Sequence, residues 1–215
     1  MFYIYLQSKS RIFMQQACSK IVHNDYTIED LSPWLEIQKT SFQDAPYILP
    51  ILVEGFGIPN EKEAFRQLLY TNADLNNSVK IVDTRTNEIY GILIFSKYPM
   101  QCGSPLHEYS NNLCRILAQY KQINGFAFVL DERLRGRRYD RKMLFFNKEY
   151  LESFDFIWCA VEKELKTDNY WKRLGFTEIL KIEEATFYLK LINKSILADI
   201  YKKIMDINQH EENYN

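Results

Sequence analysis

Six cations, Arg133, Arg135, Arg137, Arg138, Arg141 and Lys142, crowd around one glycine, Gly136, in the stretch LDERLRGRRYDRKML. Guanidinium groups bind phosphates and carboxylates through paired N–H donors. The stretch follows an apolar run, INGFAFVL, and leads into a helical one, RKMLFFNKEYLE. A strand–turn–helix passage leaves backbone N–H groups free at the positive end of a helix, which is an anion site before any side chain is counted. Three readings are open: the phosphates of a small cofactor, a nucleic-acid backbone, or a solvated face paired with neighbouring carboxylates. A concave turn suits a pyrophosphate better than a duplex, which needs an exposed basic ridge.

The charge balance narrows the choice. Lys and Arg number 27 against 28 Asp and Glu, for a net charge of −1, and dedicated nucleic-acid binders carry a strongly basic face. Cys18, Cys102, Cys114 and Cys159 are widely spread, as are His23, His107 and His210. Neither set has metal-ligand or disulfide-framework spacing, so no metal site is expected. Free thiols point to a reducing, cytoplasmic setting. Cys159 sits inside the apolar run FIWCAV and is expected to be structural. No apolar run approaches the ~20 residues of a membrane helix, so no membrane association is expected.

The elements that must position the basic turn can be read along the chain. Hydrophobic residues make up 47% of the 215, enough for one domain with a substantial core. Residues 1–13 form an N-terminal extension, 14–192 the domain, and 193–215 a C-terminal amphipathic helix and tail. A short strand is predicted around Lys20 to His23. LSPWLEIQKTSF reads as a helix with Ser32 at its N-cap and Pro33 at its first position. APYILPILVEGFG is a second helix, closed by Gly57. PNEKEAFRQLLYTN is a third, capped by Asn60, with Phe65, Leu68 and Leu69 facing inward. SVKIVDT and EIYGILIFSK form a hairpin across RTN. PLHEYSNNLCRILAQYKQ has helical spacing, and INGFAFVL and FDFIWCAV are strands buried on both faces. NYWKRLGF is a short helix ended by Gly175. FTEILKI and ATFYLKLI form a last hairpin. The closing helix turns Ile196, Leu197, Ile200, Tyr201 and Ile204 to one side. One α/β domain with a mixed sheet accounts for this order.

From Ser78 to Ile192 that order resembles the GNAT-family N-acetyltransferases. The hairpin VKIVDTRTNEIYGILIF carries Gly91 where the family often has glycine. GFAFVL stands for the central strand, RGRRYD for the Arg/Gln-x-x-Gly-x-Gly/Ala turn, and YWKRLGF for the tyrosine-bearing helix. The resemblance implies a mixed, mostly antiparallel sheet with helices on both faces, splayed into a V between its fourth and fifth strands. It implies acetyl-CoA as acyl donor and direct transfer to a primary amine of a small molecule or peptide. The backbone of Val129 and Leu130 would pair with the pantetheine arm. The amides of Arg135, Gly136, Arg137, Arg138, Tyr139 and Asp140 would hold the pyrophosphate. The Leu130 N–H would polarise the thioester carbonyl, and Tyr170 would protonate the leaving thiolate, with Trp171 packed beneath the pantetheine. The sequence departs from the family at Arg138 and Asp140, where the turn has glycines, and at Trp171, which holds the usual tyrosine column. These departures leave a second reading open, a catalytically altered acyl-CoA-binding or protein-interaction module. A homodimer is compatible with either. Residues 97–121 form an insertion carrying His107 and Glu108, read as decoration or interface. Trp34, Phe42, Tyr47 and Phe56 are expected mostly in the core, and Glu54, Asp131 and Glu132 as solvated carboxylates.

Overall fold

A computed structural model describes residues 16–17, 27–97, 115–162, 168–181 and 185–203. The expected strand at Lys20 to His23, most of the insertion with His107 and Glu108, and Ile204 lie outside them. One eight-stranded sheet organises the chain. Its strands are β1 (Gln16–Ala17), β2 (Leu35–Lys39), β3 (Val79–Asp83), β4 (Ile89–Ser96), β5 (Gln122–Leu130), β6 (Phe156–Glu162), β7 (Thr177–Lys181) and β8 (Ala185–Leu191). The order is β2-β3-β4-β5-β6-β8-β7, with β1 added beside β5. Neighbours are antiparallel except β5–β6 and β1–β5, which are parallel.

The functional consequence lies at β5. On one edge it pairs with β4 from Asn124 to Leu130, with a bulge that sets Phe126 out of register. On the other edge it pairs with β6 at Gln122, Ile123 and Asn124 only. Beyond Asn124 and Trp158 the two strands diverge into a V. β1 lies parallel along the freed edge, opposite Phe128 and Val129. Counted without the two-residue β1, these are the fourth and fifth strands, where the splay was expected.

Alternation along the strands distributes the core over two faces. Ile157, Cys159 and Val161 of β6 join Met143, Leu151 and Trp171 from the helices Tyr139–Phe146, Lys148–Leu151 and Asp168–Arg173, and Leu174 just beyond the last of them. The opposite face packs Ile92, Ile94 and Val129 against the helices Ala45–Phe56 and Glu61–Tyr70. There too, Trp158 and Ala160 meet Ile116, Leu117 and Ile200. No helix among the described residues is long and apolar enough to cross a membrane.

Four local expectations are corrected. The segment read as a helix from Leu31 is a 3-10 turn, Ser32–Trp34, followed by β2. Ladder pairing with β3, from Leu35↔Asp83 to Lys39↔Val79, outweighs the helix-start signal. In the Glu61–Tyr70 helix Ala64 and Leu68 are buried, while Leu69 is exposed. In the C-terminal helix Ile200 is buried, but Leu197 and Tyr201 face solvent. Trp34, Phe42 and Tyr47 are exposed rather than core, with Phe42 set edge-on to Phe65. The cap at Asn60 forms as read, its side chain accepting from the Glu63 amide at 3.0 Å. Gly57, at φ 60°, closes the preceding helix.

Candidate active site

The turn after β5 is built from its own side chains. Asp131, 2% exposed, accepts from the Arg133 amide and forms a two-point pair with its guanidinium at 2.9 Å. That pairing holds Arg133 over the Tyr90 ring, 5.2 Å from its centre, and raises the Arg133 pKa. Asp131 is thus a structural anchor rather than a solvated carboxylate. Arg137 reaches Glu29 at 3.2 Å. Lys142 lies 4.5 Å from the centre of the Tyr139 ring. Arg141 donates to the Arg173 carbonyl at 3.0 Å. Much of the basic cluster is therefore engaged within the protein. What the stretch leaves open is its backbone.

That backbone is shaped for it. Gly136 has φ +73°, and Arg138, the N-cap of the Tyr139–Phe146 helix, has φ 63°. Two left-handed residues alternating with right-handed or extended ones turn successive amides toward one side, a concavity that suits anions. Arg137 donates to the Leu134 carbonyl. The amides of Gly136, Arg138, Tyr139 and Asp140 have no acceptor among the described residues. Arg138 keeps the conformation that glycine favours, at a backbone cost of about 1–2 kcal/mol. Arg138→Gly is therefore expected to stabilise the protein by about 1 kcal/mol in urea unfolding. A loss of stability would show that the Arg138 side chain contributes more than its backbone costs.

The opening between β5 and β6 has two kinds of wall. The first is the β5 edge. The Asp131 amide donates to the Tyr90 carbonyl of β4, and the Val129 carbonyl abuts Gly91, where a β-carbon would lie 3.3 Å from that oxygen. The polar atoms of Val129 thus serve the β4 ladder. By alternation those of Phe128 and Leu130 face the V. The strand's register commits Val129 to β4, so of the two residues expected to offer backbone to a ligand arm only Leu130 faces the V. Phe128, which period-two alternation from Leu130 reaches, faces it too and was missed.

The second wall is aromatic. Tyr170 stacks on Phe128 with ring centres 6.4 Å apart and planes 17° from parallel. Together with Gly125, Asp140, Cys159 and Trp171 they line a narrow cavity in the V. The Tyr170 hydroxyl is buried there near the Asp140 carboxylate, which is too far or poorly aligned to accept a well-formed hydrogen bond from it. Burial, and then the nearby Asp140 carboxylate, hold its pKa far above the ordinary phenol value. Trp171 is 2% exposed. It sits edge-on to Tyr170 and Phe176, and stacks on Tyr188 at 6.1 Å. Cys159 is a buried free thiol whose pKa burial pushes up, so little of it is thiolate near neutrality. No group of three His, Cys, Asp or Glu among the described residues could hold a metal ion.

No protein-family model matches the sequence, and no curated protein matches it. Solved structures do. The ribosomal-protein-S18-alanine N-acetyltransferase from Escherichia coli is 13% identical, with 74% of this chain and 94% of that one covered, at a TM-score of 0.50. SsHAT is 14% identical, with 74% and 98% covered, at 0.52. An acetyltransferase of the GNAT family from Listeria monocytogenes 4b F2365 is 13% identical, with 74% and 95% covered, at 0.49. At such identities the likeness is one of architecture, and it agrees with the splayed strands and the turn-capped helix: the chain has the fold of the GNAT-family N-acetyltransferases.

Proposed function

We propose that this chain is an acyl-CoA-dependent N-acetyltransferase that moves an acetyl group from acetyl-CoA to a primary amine of a small molecule or peptide. The observation that carries this reading is the divergence of β5 and β6 beyond Asn124 and Trp158, directly below the Arg-Gly turn. The residues present fit the donor. Four amides without acceptors, at Gly136, Arg138, Tyr139 and Asp140, suit a pyrophosphate. The backbone of Phe128 and Leu130 suits an amide-bearing arm, and Trp171 forms part of the floor beneath it.

Acetyl-CoA, when bound, supplies an acyl carbon activated as a thioester. The Leu130 N–H is directed into the V, where it can donate to the thioester carbonyl and stabilise charge on that oxygen. The Tyr170 hydroxyl holds a proton in the same space. It stays protonated across the physiological range and can donate a hydrogen bond to the departing sulfur as negative charge develops there, while the proton that the amine sheds on forming the amide leaves through solvent and ends on the thiol, whose ordinary pKa is about 8.5. Cys159, buried and protonated, takes no covalent part. β1 shares the β5 edge with this arm, so donor binding displaces Gln16–Ala17. Deleting residues 1–17 is expected to lower the KM for acetyl-CoA, with kcat unchanged. An unchanged KM would show that β1 does not compete with the donor.

The test is binding of CoA itself. At 100 times its dissociation constant CoA should add about 2.7 kcal/mol of stability in thermal unfolding. Gly136→Pro forces φ to about −65° where the turn requires +73°. It is expected to weaken CoA binding at least tenfold in calorimetry. Unchanged affinity would remove the pyrophosphate from this turn. Failure of the intact protein to bind CoA would favour the interaction-module reading.

A further inference from the structure

We infer that the protein carries a second ligand site, a cleft for an anionic amphiphile, beside the cavity of the V. The cleft, about 550 Å³, lies between the far part of the Tyr139–Phe146 helix, the end of the Asp168–Arg173 helix and the last residues of β8. Four cations line it: Arg141, Lys148, Arg173 and Lys190. Among the described residues the one carboxylate on its wall is Glu152, which is paired with Lys148 at 3.5 Å. Arg173 has no carboxylate partner among the described residues.

Two of the cations are held in place. Arg141 donates to the Arg173 carbonyl at 3.0 Å and Lys190 to the Leu174 carbonyl at 2.7 Å. These bonds satisfy the end of the short helix, but carbonyl dipoles do not neutralise two full charges. The excess is visible in Lys190, whose pKa burial and the neighbouring Arg141 both lower. Like charges set around one cavity cost free energy unless an anion joins them.

The floor differs in kind from the rim. Leu144, Ile157, Leu174 just past the Asp168–Arg173 helix and Ile192 just past β8 form it, and Phe145, 74% exposed, stands at its edge. A bare phosphate has no use for that surface, and a neutral apolar molecule has none for the cations. A carboxylate on an aliphatic body of about eight carbons satisfies both, with the head between Arg173 and Lys190 and the chain on the leucine and isoleucine floor. The cleft is on the Ile157 side of the sheet, where β5 and β6 are still paired. It shares Leu144, Ile157 and Leu174 with the narrow cavity in the V and reaches the first turn of the Tyr139–Phe146 helix at Arg141, so the two adjoin while their charged rims differ.

The experiment is calorimetry on the full chain with octanoate, octanamide and inorganic phosphate, repeated with the double variant Arg173→Glu, Lys148→Glu. Octanoate is expected to bind one to one, and octanamide and phosphate each at least tenfold more weakly. The double variant should lose octanoate at least tenfold while its thermal shift with CoA is unchanged. Equal binding of octanamide would reduce the cleft to an apolar surface. Equal binding of phosphate would reduce it to a charge patch. Octanoate that binds the double variant normally, that does not bind at all, or that acetyl-CoA displaces would overturn the inference. The CoA shift is read separately, so failure here leaves the acetyltransferase reading to its own test.

Discussion

Replacing Tyr170 by Phe is expected to lower kcat by ~10²–10⁴-fold with acetyl-CoA affinity unchanged, and to raise the conformational stability of the protein by about 1–3 kcal/mol. The two effects have one origin. The hydroxyl is buried without a partner, so the folded state bears its desolvation cost, which a phenyl ring of nearly the same shape does not incur. Stacking on Phe128 and the edge-on contact with Trp171 are kept. A group held at such a cost and facing the V fits a proton donor whose partner arrives with the substrate.

The pH dependence adds a second check. The folded pKa of Tyr170 is raised above the unfolded value of about 10. Below pH 10 both states hold the proton, and the gain from the Phe variant is constant. Above it the unfolded chain ionises and the folded one does not, so wild-type stability falls. The advantage of Tyr170→Phe should therefore grow as pH rises past 10. A variant with full kcat would make Tyr170 a core aromatic and leave the thiolate to depart without an acid. A destabilised variant would show that the hydroxyl is hydrogen-bonded after all.

Trp171→Ala is expected to cost about 3–5 kcal/mol in denaturant unfolding. The indole is almost wholly buried and touches rings from three directions, Tyr170, Phe176 and Tyr188. Truncation leaves a cavity that the neighbouring sheet cannot collapse to fill. The same indole lines the V, so Trp171→Phe, which keeps most of the volume, separates the roles. It should recover most of the stability. If it also restores acetyl-CoA affinity, the indole acts through packing alone. A loss below about 1 kcal/mol for the alanine variant would contradict its place in the core.

Most strands and helices were legible as local patterns. Apolar, β-branched-rich runs such as VKIVD and IYGILIFS, the Asn60 cap, and the glycines at 57 and 175 describe short-range geometry that each segment meets by itself. The turn at Gly136 was legible for the same reason: an apolar run, a left-handed residue and a helix start adjoin in sequence. Misreadings arose where distant pairing outweighs local signal. Leu35–Lys39 carries a helix-start signature and becomes a strand because β3 supplies a ladder. Trp34, Phe42 and Tyr47 look like core and lie outside it, since hydrophobicity does not say which side of an element meets another.

The sequence by itself determined an α/β domain, the order of its elements from β3 onward, the basic turn, and the pair Tyr170–Trp171 beside a glycine-ended helix. Only the tertiary structure decided which of that pair is core and which turns a hydroxyl into the V, because a helix rotation of ~100° per residue is set by packing against β5 and β8. It alone committed Val129 to β4 and freed Phe128 and Leu130, since a one-residue register shift exchanges the two edges of a strand. And it alone drew Arg141, Lys148, Arg173 and Lys190 around one cleft. Charges up to about fifty residues apart have no pattern along the chain; they meet only when the helices settle on the sheet.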